Sequence, residues 1–312
     1  MLEFSHKSVM LEECMQGLNL KDGGVYFDGT VGGGGHSYEI LKRTSPSGRL
    51  IATDLDDEAI QASTKRLEEF AGRFAIYKSN YKDFARVFND AGIDKIDGAL
   101  LDFGISSHQI DDEERGFSYR MADAPLDMRM NTSAYLTAEI VVNTYPEEEL
   151  CKIIKTYGEE TFAKQIARNI VKARENKRLK TSGELSEIIR NSIPAKFRYG
   201  APCERKTFQA LRIEVNKELD GLRELVENLS RRLKKGGRIV ILTFHSLEDR
   251  IVKEVFREME NPCTCPGNFP VCVCGKKAEL KTITKKPITA SEEELEFNSR
   301  SKCAKLRIAE KI

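Results

Sequence analysis

Val25-Tyr26-Phe27-Asp28-Gly29-Thr30-Val31-Gly32-Gly33-Gly34-Gly35-His36 runs from a short apolar strand through an acid into a glycine-rich turn, with a helix opening near His36. Glycine lets backbone approach a neighbour or ligand closely, and the first turn of a helix presents N–H groups that have no partner within the helix. Working outward, Arg49-Leu50-Ile51-Ala52-Thr53-Asp54 reads as a second strand that again ends in a carboxylate. Ala59, Ile60, Ser63, Leu67 and Phe70 follow at helical spacing. Phe74–Tyr77 is a third strand, Tyr81–Ala91 its helix, and Ile96–Asp102 a fourth strand. This alternation predicts βαβ units in a mostly parallel α/β sheet.

Beyond Ser106 the alternation stops. To about Arg205 the pattern is loop and then helices, among them Ala163–Arg174 and Ser182–Asn191. Leu211, Val215, Leu219, Leu222, Val226, Leu229 and Leu233 recur at steps of three and four. That spacing predicts one long helix capped at Lys234-Lys235-Gly236-Gly237. Arg238–Phe244, apolar over Ile239–Leu242, is a fifth strand, so the sheet resumes, and Leu280–Thr289 and Lys305–Ala309 can supply two more strands. The expected organisation is a discontinuous core, residues 1–108 and 207–312, carrying a helical insertion over 109–206.

The 312 residues are 40% hydrophobic and 32% charged, ample for a core without disulfide or metal support. No apolar run is long enough to span a bilayer, and Met1–Lys7 lacks a signal-peptide pattern, so a cytoplasmic protein is expected. Residues 1–150 carry 15 basic and 27 acidic side chains and the remainder 35 and 22, so a near-neutral total conceals an acidic part followed by a basic one. Such asymmetry suits an anionic partner, though an unevenly charged solvated surface accounts for it equally well. Four of the eight cysteines cluster as Cys263-x-Cys265 and Cys272-x-Cys274. Four thiolates complete a tetrahedral zinc site, but Cys-x-Cys is less usual than Cys-x-x-Cys, and reduced thiols in a redox-sensitive loop are the alternative.

Ligands of open α/β sheets bind beyond the carboxyl ends of the strands. The glycine loop, the helix start and Asp54 stand there in the order that suits an adenosine-containing cofactor, with Asp54 placed to accept ribose hydroxyls. The loop serves NAD or S-adenosylmethionine equally. Asp102-Phe103-Gly104-Ile105-Ser106-Ser107 delivers a carboxylate and small polar residues where a methyl acceptor is oriented.

Asp28–Ser37, Leu101–Ser107, Arg115–Ser118, Pro125–Met130, Lys155–Glu160, Thr207–Ile213 and Phe244–Arg250 together resemble the MraW family of small-subunit ribosomal RNA methyltransferases. The resemblance runs from His6 to the carboxyl terminus and is interrupted around 261–296. It implies a Rossmann-like S-adenosylmethionine-dependent core and methyl transfer to the exocyclic N4 of one cytidine in the decoding region of 16S rRNA. It also implies cofactor contacts at Gly34, Gly35, His36, Asp54, Tyr81, Asp102 and Gln109, with Tyr81 packing on adenine. The expected partner is 16S rRNA, within the small ribosomal subunit; a homodimer is compatible with this reading, and no membrane is involved. Two departures stand out. Thr30 occupies the position two after Asp28 where methyltransferases commonly have glycine, and Phe103-Gly104 follows Asp102 where DNA amino-methylases have Pro-Pro.

For the reaction, Asp102 is the expected catalytic residue, accepting an N–H of the amine while the protein aligns the reactants; a cofactor contact alone is its competing role. Phe103, Phe117, Phe208 and Phe244 are candidate base platforms. Arg168, Lys172, Arg174, Lys177, Arg178, Lys180, Lys196, Arg198, Arg205 and Lys206 are candidate phosphate contacts. His6, His36, His108 and His245 lie in or beside the motifs, and a His245-Ser246-Asp249 hydrolase is disfavoured because no nucleophile elbow is present. The rivals to rRNA methylation are an amino-methylase acting on DNA or another RNA, and a non-catalytic ribosome assembly factor.

Overall fold

The computed structural model of the chain describes residues 8–105, 112–198, 200, 202–266 and 273–312. Among these, β1 (Val25–Asp28), β2 (Arg49–Asp54), β3 (Phe74–Lys78), β4 (Ile96–Asp102), β5 (Leu233–Thr243), β6 (Leu280–Thr282) and β7 (Lys305–Lys311) form a seven-stranded sheet in the order β3-β2-β1-β4-β5-β7-β6. The first five in that order are parallel, and β7 runs antiparallel between β5 and β6. Strand order therefore reverses between β1 and β4, the switch point at which such sheets open a crevice.

The chain packs as two compact units, one running up to Gly104 and resuming over Gly221–Ile312, the other Ile105–Asp220. In the sheet unit, α1 (Leu11–Leu18) lays Cys14, Met15 and Leu18 against Val240, Leu306 and Ile308, while α2 (Gly35–Arg43) adds Ile40 and Leu41 to the same buried cluster. Each large aliphatic chain removed from water contributes about 1.5–3 kcal/mol. α3 (Asp57–Arg66) and α4 (Phe84–Asp90) make the second and third crossovers, and Asp56 caps α3 by accepting the Glu58 N–H. On the far side of the sheet's centre, α11 (Ser246–Glu260) is tied to β7 through buried Asp249, which accepts from Arg307 Nε at 2.6 Å and Nη2 at 3.2 Å. Burial pushes the Asp249 carboxyl up, but the hydrogen bonds and charge of Arg307 and Lys305 outweigh it and hold the pKa below the ordinary value.

The second unit is helical: α5 (Ala138–Thr144), α6 (Glu147–Tyr157), α7 (Ala163–Asn176), α8 (Ser182–Ser192) and α9 (Arg205–Asn216). Leu150, Ile154, Ile166, Ile170, Leu185, Ile189, Phe208 and Leu211 recur at helical spacing and bury one another. Thr181 and Glu184 form a reciprocal capping box that starts α8. Asn216 closes the unit, its Oδ1 accepting the Met130 N–H at 2.7 Å and its Nδ2 donating to the Met128 carbonyl at 2.8 Å.

One expected helix is in fact two. α9 ends at Lys217, which turns left-handed at φ 50°, and α10 (Leu222–Arg231) starts after Gly221 at φ 67°. Leu211 and Val215 belong to the helical unit's core, so that unit begins before residue 109 and runs past 206, taking in α9. Lys234-Lys235-Gly236-Gly237 is likewise not a helix cap. It lies inside β5, where the pairing with β4 jumps from Ile96–Leu233 to Gly98–Arg238 and the extra residues bulge.

Candidate cofactor crevice

Register places the acids. Asp28, the last residue of β1, pairs with Ala52 on one side and Leu100 on the other. Asp54 and Asp102 therefore each stand two residues beyond the end of β1, an overhang of about 7 Å. The gap between them is filled by the glycine loop, which is fastened to both flanking strands. Gly29 N–H donates to the Leu100 carbonyl at 2.9 Å, and Val31 N–H to the Thr53 carbonyl at 3.0 Å. Gly32 N–H donates to Asp54 Oδ2 at 2.9 Å, and the Asp102 N–H to Thr30 Oγ1 at 2.8 Å. Thr30 thereby explains its own departure from the usual glycine: its hydroxyl is the link to β4, and glycine has none.

Asp28 lies buried beneath this loop. Its Oδ2 accepts from Ser37 Oγ at 2.6 Å and its Oδ1 from the Thr30 N–H at 3.1 Å. Burial raises its pKa, partly offset by the Ser37 hydrogen bond and the neighbouring His36. Asp54 accepts from Leu55 and Asp56 N–H on Oδ1, at 2.8 and 3.0 Å, as well as from Gly32 on Oδ2. A carboxylate offers about four lone-pair sites, so three backbone donors leave one, on Oδ2, for an incoming hydroxyl. Burial lifts the Asp54 pKa while those three donors oppose it. Asp102 Oδ1 accepts the Gly104 N–H at 3.0 Å. Burial pushes the Asp102 carboxyl up to about 6, the Gly104 bond lowers it, and the charge of Glu248 raises it again.

The predicted positions divide by role. Gly34, the residue capping α2, sits at φ 74°, where an added Cβ would meet the Cβ of Ser63 at 3.1 Å; a Cβ on Gly35 would lie 2.0 Å from Ser8 Oγ. Both glycines thus have packing reasons of their own. Gly32, which fits the methyltransferase glycine spacing four residues after Asp28, sits at φ 48°, and a Cβ there would meet nothing nearer than the Thr30 carbonyl oxygen at 4.0 Å. Gly34→Ala is expected to cost about 1–2 kcal/mol through its left-handed backbone alone. An unchanged urea midpoint would show that the loop relaxes at no cost.

The His36 imidazole is buried and its Nε2 donates to the Val9 carbonyl at 3.0 Å, while its backbone N–H lies in the first turn of α2. Tyr81 follows β3 in a short 3₁₀ turn, its ring centroid 5.6 Å from that of Phe103. Gln109, His6, His108 and Cys272 lie outside the described residues. His245 caps α11: its Nδ1 accepts the Glu248 N–H at 3.4 Å, and Glu248 Oε2 accepts the Phe244 N–H at 2.9 Å. With Asp249 engaged by Arg307, no Ser-His-Asp relay is assembled. Glu248 was also missed, although His245-x-x-Glu248 has capping-box spacing.

Among the candidate base platforms, Phe208 is 4% exposed, packed in the helical core edge-on to Tyr119, and Phe103 is buried as well. Phe197, which was not considered, is 55% exposed, with Lys196 Nζ 5.0 Å from its ring centre. Of the candidate cations, Arg174 is half-buried and donates to the Val142 carbonyl, while Lys177 and Arg178 pair with Glu184 and Glu139. Arg168, Lys172, Lys180, Lys196, Arg198, Arg205 and Lys206 are exposed.

The donor set fits an S-adenosylmethionine-type ligand. Bare backbone at Gly32 and one open acceptor on Asp54 suit a ribose and its neighbours, and three carboxylates around the loop favour a cation over a pyrophosphate. The strand order, the antiparallel β7 inside β6 and this loop flanked by acids define a Rossmann-like methyltransferase core. Over residues 3–312 the chain matches the MraW methylase family, and it belongs to that family. It is 55% identical to ribosomal RNA small subunit methyltransferase H 2 of Agathobacter rectalis over 99% of both chains. It is 54% identical to ribosomal RNA small subunit methyltransferase H of Lachnospira eligens, over 100% of this chain and 99% of the relative. The Clostridium botulinum (strain Kyoto) protein of that name is 55% identical over 100% of both chains. No helix among the described residues is long and apolar enough to cross a membrane.

Proposed function

We propose that this chain transfers a methyl group from S-adenosylmethionine to the exocyclic N4 of a cytidine in the decoding region of 16S rRNA, in the cytoplasm and within the small ribosomal subunit. The observation that carries the reading is the pair of overhanging acids, Asp54 and Asp102, strapped to one glycine loop at the switch point. Full-length relatives named as small-subunit rRNA methyltransferases support the substrate class.

When bound, the cofactor supplies an electrophilic methyl on a sulfonium. Gly32, the α2 amino terminus, Asp54 and Tyr81 would hold it. Cytosine N4 is a weak nucleophile because its lone pair is conjugated with the ring. Asp102 accepts one N–H of that amine, favours a pyramidal nitrogen and takes up positive charge as it develops. Alignment of N4 with the methyl supplies the larger part of the acceleration. The helical unit contributes exposed cations and Phe197 for phosphate contact and base stacking.

The decisive assay is transfer of tritiated methyl from S-adenosylmethionine to small subunits lacking the modification, followed by nucleoside analysis. Label is expected in N4-methylcytidine at one position. A cofactor-binding protein that labels neither subunits nor free 16S rRNA would overturn the reading, and label in another nucleoside would reassign the acceptor.

A further inference from the structure

Between α11 and β6 the chain makes a long excursion over residues 261–279. Its base is pinned, since the Glu279 N–H donates to the Met259 carbonyl at 2.8 Å and the Thr282 N–H to Glu260 Oε1 at 3.0 Å. Above that base, none of the described residues lies in a helix or strand and none is buried; Val273 is 75% exposed. Excursions longer than about 12–15 residues without secondary structure are uncommon in compact proteins and need another source of order. Among the described residues of this excursion, no apolar core supplies it.

The cysteines do come together. The Sγ atoms of Cys263, Cys265 and Cys274 all lie within 4.8 Å of one another, and Cys263 Sγ is 3.9 Å from Cys274 Sγ. A disulfide would require about 2.05 Å. Tetrahedral thiolates on zinc, with Zn–S bonds of about 2.3 Å, stand about 3.8 Å apart. The Val273 N–H donates to Cys265 Sγ at 3.4 Å, a bond that stabilises sulfur carrying negative charge. Directly after Cys274, Gly275 takes the left-handed backbone at φ 65°.

We infer that Cys263, Cys265 and Cys274 are ligands of a structural zinc ion that ties the outgoing and returning arms of this excursion together. The three sulfurs bind as thiolates, releasing their protons to solvent on metal uptake, and no electron transfer is involved.

The test is metal analysis of the full chain purified without chelator, and again after reconstitution with zinc chloride. About one zinc per chain is expected. The Cys263→Ser/Cys274→Ser double variant should lose at least about tenfold of it, while Cys151→Ser, in the helical unit, should keep it. Cobalt in place of zinc should give the intense visible absorption of a tetrahedral thiolate site. Wild-type protein that holds no zinc even after reconstitution would overturn the inference, whatever the variants do. So would zinc that survives in the double variant, loss of zinc in Cys151→Ser, iron with inorganic sulfide in its place, or a mass showing a disulfide in freshly purified protein. None of these readouts depends on methyl transfer, so failure of the functional reading is separate from failure of this one.

Discussion

Asp102→Asn is expected to lower kcat by about 10²–10³-fold at saturating S-adenosylmethionine, the loss typical when one preorganised charge-stabilising group is removed. The substitution keeps Oδ1 as an acceptor for the Gly104 N–H at 3.0 Å, so the strand end retains its shape and only the charge is lost. A role confined to cofactor contact would raise Kd for the donor and leave kcat intact once the donor saturates. The pH profile separates the two further. With the carboxyl pushed up to about 6 by burial and by Glu248, the acid form accumulates as pH falls through that value. Wild-type kcat/KM should therefore drop on the acid side of about pH 6 and level off above it, and the asparagine variant should lose that limb. Wild-type kcat in Asp102→Asn at saturating donor would end the catalytic assignment.

The second large effect is on donor binding. Asp54→Asn should raise Kd for S-adenosylmethionine by roughly 10–100-fold, consistent with about 1.5–3 kcal/mol for a hydrogen bond to a charged group. The amide can still present an oxygen to the Leu55 and Asp56 N–H groups, but its nitrogen then faces the Gly32 N–H. Two donors would oppose each other where an acceptor now joins them. The loop should loosen on the β2 side, and thermal stability should fall together with affinity. Calorimetric titration giving a Kd within threefold of wild type would remove Asp54 from the cofactor site.

Much of this crevice was legible before any coordinates, because its parts lie at strand ends and strand ends are visible in the hydrophobic pattern. Asp28, Asp54 and Asp102 each terminate an apolar run. What the pattern could not show is how the loop is tied between them. Thr30 registered as a deviation from a glycine motif, and only the bond from the Asp102 N–H gives it a purpose. The break between α9 and α10 was invisible for a different reason. Leu211 and Val215 stay in phase with Leu222, Val226 and Leu229 across it, so periodicity continues although the first two serve one core and the rest another. The left-handed residues Lys217 and Gly221 were the local sign. Aromatic residues misled in the same way: spacing does not distinguish Phe208, inside a helical core, from Phe197, turned out to solvent.

The position of β7 bears on how the chain is made. Of the seven strands it is the last in chain order, yet it occupies an inner place in the sheet, hydrogen-bonded to β5 on one side and β6 on the other. Until Lys305–Lys311 has left the ribosome, β5 has an unpaired edge, β6 has no neighbour, and Asp249 has no Arg307 to neutralise it. The helical unit, Ile105–Asp220, is by contrast one continuous stretch of chain, complete once Asp220 has emerged. Synthesis order and strand order therefore conflict in the sheet unit, whereas the helical unit is continuous in sequence, so the insertion can fold on the translating ribosome while the sheet must wait for β7.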